Sequence, residues 1–100
     1  MEPEQASHFE AELWRVDTAK APWHFVTVPP EISHQIRFYA GKTNSFGSIR
    51  VRVCIGNSEW ATSLFPDTKS GCYFLPVKAV IRRAESLAAG DRITVDLTTG

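Results

Sequence analysis

Residues 49–65 read IRVRVCIGNSEWATSLF. Ile49, Val51, Val53 and Ile55 alternate with Arg50, Arg52 and Cys54, so one side of the segment is apolar and the other polar. Such period-two alternation marks a strand with one face in a core. Gly56-Asn57-Ser58 has the chemistry of a short hairpin connection, and Glu59 to Phe65 forms the returning strand. A hairpin with one apolar face must cover that face with further chain, and the flanking sequence supplies it.

Upstream, Phe9, Ala11 and Leu13 alternate with Glu10, Glu12 and Trp14, which predicts a strand. A turn through Asp17 to Pro22 leads to a second strand, His24 to Val28, which stops at Pro29-Pro30 because proline donates no ladder hydrogen bond. From Pro30 to Tyr39 the residues Ile32, Ile36 and Tyr39 recur at helical spacing, with proline suited to the first turn and Gly41 to the stop. Downstream, Pro66 to Gly71 is loop-like, and Cys72 to Leu75 is a short strand. Beyond Pro76 a second helix of about ten residues is expected, with Val77, Val80, Ile81, Ala84, Leu87 and Ala88 on one stripe. Gly90 ends it, and Ile93, Val95 and Leu97 alternate as the last strand.

The order strand, proline, short helix, glycine, strand occurs across Phe25 to Val53 and again across Tyr73 to Leu97. Two copies predict pseudo-twofold halves closing on each other, and closure removes the exposed edges that a small open sheet would leave. The expected fold is mainly β: a small barrel of six to seven strands with two short helices across its openings. Its expected core is Phe9, Leu13, Phe25, Val51, Val53, Leu64, Leu75, Val80, Ile81, Val95 and Leu97. Residues 1–8 are expected to be a flexible N-terminus, 9–97 the single barrel domain and 98–100 the C-terminal end. Both halves lie in one chain, so a monomer is expected.

One hundred residues hold a single core of this kind. Eleven Lys and Arg against eleven Asp and Glu exclude a polybasic tail or an acidic solvating chain. No apolar run approaches the ~20 residues of a membrane span. The acidic start, Met-Glu-Pro-Glu-Gln, lacks the basic-then-apolar pattern of a signal peptide, so a cytoplasmic chain is expected. Cys54 and Cys72 have no CxxC spacing and are read as free thiols.

Several motifs taken together resemble one family. Phe9-x-Ala11-x-Leu13-Trp14, Trp23-x-Phe25-Val26-Thr27-Val28-Pro29 and Gly47-Ser48-Ile49-Arg50-Val51-Arg52-Val53 are similar to its first half. Trp60-x-Thr62-Ser63-Leu64-Phe65-Pro66-Asp67, Leu75-Pro76-Val77-Lys78-Ala79-Val80-x-Arg82 and Gly90-Asp91-x-Ile93-x-Val95 are similar to its second. Over Phe9 to Leu97 the chain resembles the bacterial domain of unknown function 1905 family. The resemblance implies a double-split β-barrel, laid out like the swapped-hairpin barrels of AbrB- and MazE-like DNA-binding proteins. It implies no activity and no catalytic residue.

The residues themselves offer little specific chemistry. Gly41-Lys42-Thr43 mimics the end of a phosphate-binding loop, but Ile36 stands where the first glycine is needed. His8, His24 and His34 share no metal-ligand spacing, and no metal is expected. His24, between Trp23 and Phe25, reads as a structural imidazole with its hydrogen bonds satisfied. A triad of Ser63 or Cys54 with His24 and Asp67 can be written, yet no strained nucleophile turn or oxyanion donor supports it. Glu10 and Glu12 share a strand face, as chance alternation also produces.

Charge is unevenly spread. Glu31 to Arg83 holds eight basic and three acidic residues, whereas both flanking segments are net acidic. Arg50 and Arg52 share a strand face, and Lys78 and Arg82 are spaced for one helix face, a stripe able to meet phosphates. A solvated outer surface laced with ion pairs is the simpler reading. Trp14 is out of phase with the Phe9, Ala11, Leu13 series and is expected on the outer face, where exposed Trp marks binding surfaces. The candidate ligand-binding residues are therefore Trp14, Trp60, Arg50, Arg52, Lys78 and Arg82, with no catalytic residue and no cofactor. The leading expectation is a non-catalytic binding module for a protein or small ligand. An AbrB-like nucleic-acid-binding domain comes second, because a monomer offers few phosphate contacts, and an uncharacterised enzyme third.

Overall fold

The structure, a computed structural model, describes residues 5–40 and 47–99. The order is β1 (Gln5–Asp17), β2 (Pro22–Thr27), α1 (Pro30–Ala40), β3 (Ile49–Ile55), β4 (Ser58–Pro66), β5 (Tyr73–Pro76), α2 (Ala79–Ala84) and β6 (Arg92–Thr99). The Gly41-Lys42-Thr43 motif lies outside the described residues. Among the described residues no helix is long and apolar enough to cross a membrane.

All pairings are antiparallel, and the six strands close in the order β1-β2-β5-β4-β3-β6. Two long strands make closure possible by changing partners along their length. β1 pairs with β6 from Gln5 to Glu12 and with β2 from Leu13 to Asp17. β4 pairs with β3 from Ser58 to Leu64 and with β5 at Phe65 and Pro66. At the changeover in β1, the Leu13 N–H donates to the Asp91 carbonyl at 2.8 Å and the Gly90 N–H to the Leu13 carbonyl at 2.7 Å. Both backbone groups of Leu13 are thus paired where the strand leaves one partner for the other.

The two halves, β1-β2-α1-β3 and β4-β5-α2-β6, meet through matching strands: β2 against β5 at Val26↔Leu75, and β3 against β6 at Val53↔Leu97. The core is Leu13, Val26, Val28, Leu64, Leu75, Val95 and their neighbours, with Val51, Val53 and Ile55 of the opening hairpin all inward. Residues 5–8, expected to be flexible, are instead paired with β6 from Thr99 to Asp96. Thr98 and Thr99, read as chain end, belong to the same strand.

Two core assignments change. Phe25 is only half-buried and faces outward, while His24, Val26 and Val28 take the inward phase of β2 and its continuation. Slender aliphatic chains meet Leu13 and Leu75 across the barrel interior, whereas Phe25 packs on rings outside. Val80 is 59% exposed. Its helix is six residues, not ten, and Ser86 follows in the left-handed region at φ 55°. The expected stripe is therefore cut: Val77 is buried in extended chain, bonded to the His24 carbonyl, and Leu87 reaches the core through the turn.

Each helix lies at one end of the barrel. Ile36 and the fully buried Ser33 fasten α1 where β2 ends and β5 begins. The Ser33 hydroxyl donates to the Val28 carbonyl and accepts the Tyr73 N–H, both at 3.0 Å. α2 begins beside β2 and ends beside the β3–β4 turn, where the Glu85 carboxylate accepts from the Asn57 N–H and the Ser58 hydroxyl. Gly56 opens that turn at φ 58°, and a Cβ there would collide with the Glu85 carboxylate.

Candidate functional site

Because side chains alternate across each strand, the residues left out of the core form the barrel's outer surface. On β1, β2, β5 and the end of β4, that surface is aromatic. Trp14 lies opposite Phe25, Val16 opposite Trp23, and Phe65 opposite Phe74. Ring centroids are 5.0 Å apart for Trp14–Phe25, 5.1 Å for Trp14–Phe74 and 5.9 Å for Phe25–Phe74. Trp23 stacks on Phe25 at 5.9 Å with planes only 9° apart. The Trp14 indole N–H donates to Thr27 Oγ1 at 2.9 Å, so its ring is fixed on this face.

Trp23 is 53% exposed and Phe65 47%. With Val16, Thr18, Phe25 and Phe74 they line an open groove of about 430 Å³. Among the described residues no charged side chain lines it, and the Thr18 hydroxyl is engaged with the Ala21 backbone. An occupant would meet ring faces and edges and little else. Chemically, the groove can select flat apolar matter, and it offers no counter-charge to an anion.

The opposite flank, on β6, β3 and the rest of β1 and β4, is polar. His8 Nδ1 meets Asp96 at 2.6 Å, Arg52 meets Glu59 at 2.6 Å and Arg92 meets Glu10 at 2.7 Å, all in solvent. Exposed pairs of this kind contribute about 0–1 kcal/mol each. A shallow depression of about 220 Å³ lies among Arg52, Cys54, Glu59, Asp96 and Thr98. Cys54 and Cys72 are free thiols, and among the described residues no three His, Cys, Asp or Glu side chains could hold a metal ion.

The six candidate residues separate. Trp14 lies on the outer aromatic face. Trp60, opposite the inward Val53, packs against the core with its indole N–H buried and unpartnered among the described residues. Arg50 and Arg52 are exposed on β3, and Arg52 is paired with Glu59. Lys78 is exposed ahead of α2, while Arg82 turns inward, half-buried, with Nε donating to the Val77 carbonyl at 3.3 Å. Trp23, Phe65 and Phe74 were missed as candidates. The alternation of Trp23, Phe25 and Thr27 carried the signal for β2, but it competes with the equally regular series His24, Val26 and Val28.

His24 is also corrected. It is 8% exposed and inward, and its Nδ1 has no hydrogen-bond partner among the described residues. Burial, first, and then the guanidinium groups of Arg82 and Arg15 hold its pKa below the usual imidazole range, with Asp17 opposing. Ser63 and Cys54 lie on strands whose inward positions are Leu64, Val53 and Ile55, so they cannot meet an inward His24. The Asp67 carboxylate is occupied in its own loop, accepting from the Ser70 hydroxyl at 2.7 Å and from the Lys69 and Ser70 N–H groups. The Ser70 hydroxyl is the main cause of its pKa lying below the usual carboxylate value. The triad therefore does not assemble.

No curated protein matches the sequence. The family model that matches residues 9–97 is described as a domain of unknown function (DUF1905).

Proposed function

Since the chain belongs to the DUF1905 family, whose description assigns no activity, we propose a function from its surface: a non-catalytic module that binds a flat, uncharged, apolar small ligand. The observation that carries this reading is the groove of about 430 Å³ lined by Trp23, Phe25, Phe65, Phe74, Val16 and Thr18. Its volume falls in the roughly 300–1,000 Å³ range of small-molecule sites. Its rings are held by strand register and by each other, so little ordering is needed on binding, which favours affinity. Separation of the basic residues onto β3 and α2, with Arg52 already paired, supports this reading over a phosphate-binding face.

The test is an NMR titration with indole as neutral probe and acetate as charged control. Saturable shifts of the Trp23 indole resonance with indole alone, lost or weakened at least tenfold in Phe65→Ala, are expected. No saturable shift, or equal affinity in folded Phe65→Ala and Phe74→Ala variants, overturns the reading.

A further inference from the structure

The α2 end of the barrel carries a second arrangement unrelated to the aromatic groove. There the buried His24 on β2 lies directly opposite the exposed Arg15 on β1 in register. The Val77 N–H donates to the His24 carbonyl, and Arg82 Nε donates to the Val77 carbonyl, so the Arg82 side chain folds back over the same corner. Trp60 stands at this end on β4, two residues from the Ser58 that Glu85 holds. His24 Nδ1 and Trp60 Nε1 are both buried without a hydrogen-bond partner among the described residues. Buried polar groups are rarely left this way in folded proteins, and each such atom calls for a missing partner.

The surrounding charge indicates what the partner is. Arg15 stands opposite His24 in register, and Arg82 bonds to Val77, whose own N–H is held by the His24 carbonyl, so both guanidinium charges act on the His24 ring. Asp17, also on β1, takes Arg15 Nε at 2.7 Å. Glu85, at the far end of α2, is spent on Asn57 and Ser58. Both arginines are bonded through Nε, and the described bonds leave their terminal amino groups uncommitted. Guanidinium groups match the geometry of carboxylate and phosphate oxygens. We propose that this mouth of the barrel binds a small oxyanion, held by the terminal amino groups of Arg82 and Arg15 and by the His24 ring. Its negative charge offsets the repulsion that the two arginines impose on His24. Binding therefore takes up a proton on His24 and strengthens as pH falls toward the imidazole range.

Inorganic phosphate and acetate are titrated into the intact chain by NMR, at ionic strength fixed with chloride. The expected result is a saturable shift of the His24 ring resonances with at least one oxyanion, and an imidazole pKa raised when that oxyanion is bound. Affinity should fall at least tenfold in Arg82→Gln, and more modestly in Arg15→Gln, whose side chain is half in solvent and whose loss leaves the core intact. His24→Gln should retain weaker binding but lose the pH dependence seen with acetate, which stays ionised through the imidazole range. A response equalled by chloride, no saturable shift, or unchanged affinity in both arginine variants overturns the proposal.

Discussion

The two ends of the barrel are closed by the same topological element, a short helix between the second and third strands of each half, yet they are closed differently. At the α1 end a buried hydroxyl joins helix to β5 and Ile36 plugs the interior. At the α2 end the helix buries none of its residues, and two buried polar side-chain groups have no partner among the described residues. One half uses its helix as a stopper, and the other covers buried polar groups with a helix that buries none of its own residues. A repeat in topology therefore does not imply a repeat in energetics. Packing against side chains from other elements decides what each copy does.

The sharpest way to break this contrast is to remove the plug. Ile36→Ala should cost about 2–5 kcal/mol, read from denaturant midpoints, because it empties a fully buried site. A loss no larger than that of Ile81→Ala would remove the contrast between the two ends. Ser33→Ala should follow, at about 1–3 kcal/mol, since the Tyr73 N–H and the Val28 carbonyl would both be left buried and unpaired. Ile81→Ala should cost only about 1–2 kcal/mol, because the side chain is half-buried on a helix with no buried residue.

Acid sharpens the comparison further. The His24 pKa is lowered on folding, so the unfolded chain takes up its proton first as pH falls through the ordinary value of 6.5. Stability contributed by the neutral ring is complete above that value and declines below it, until the folded state protonates as well. Urea midpoints compared between roughly pH 7 and roughly pH 5.5 should fall more in the native chain than in His24→Gln. Asp67 stays ionised across this window, its own pKa lying below 3.8. Equal acid sensitivity in both proteins would remove His24 from the account. The smallest effect is Arg83→Ala, an exposed position on α2, within about 0.5 kcal/mol in the same melts.

Much of the barrel was legible in the chain. The hairpin from Ile49 to Phe65, the last strand and the proline-led α1 each announce one structure, because apolar residues there occupy a single phase. β2 is the contrary case. Trp23 and Phe25 alternate with His24 and Val26, so both phases are apolar enough to face a core. Trp14 was legible as outward because Leu13 beside it unambiguously faces in. Trp60 has no such tie-breaker, since Ala61 and Thr62 fit either side. α2 misled because Val77, Val80, Ile81 and Leu87 imitate a helical stripe, while the chain is strand-like at Val77 and turned at Ser86.

By itself, then, the sequence determined the β class, the twofold order of elements and most of the inward residues, since these follow from alternation within six or seven neighbouring positions. Only the tertiary structure decided which side of β2 faces inward, which rings from β2, β4 and β5 share a groove, and that the buried His24 Nδ1 has no partner among the described residues. Those outcomes depend on register between distant strands and on the narrow interior of a six-stranded barrel. A local pattern carries the spacing of side chains along one strand, but not the identity of what stands opposite.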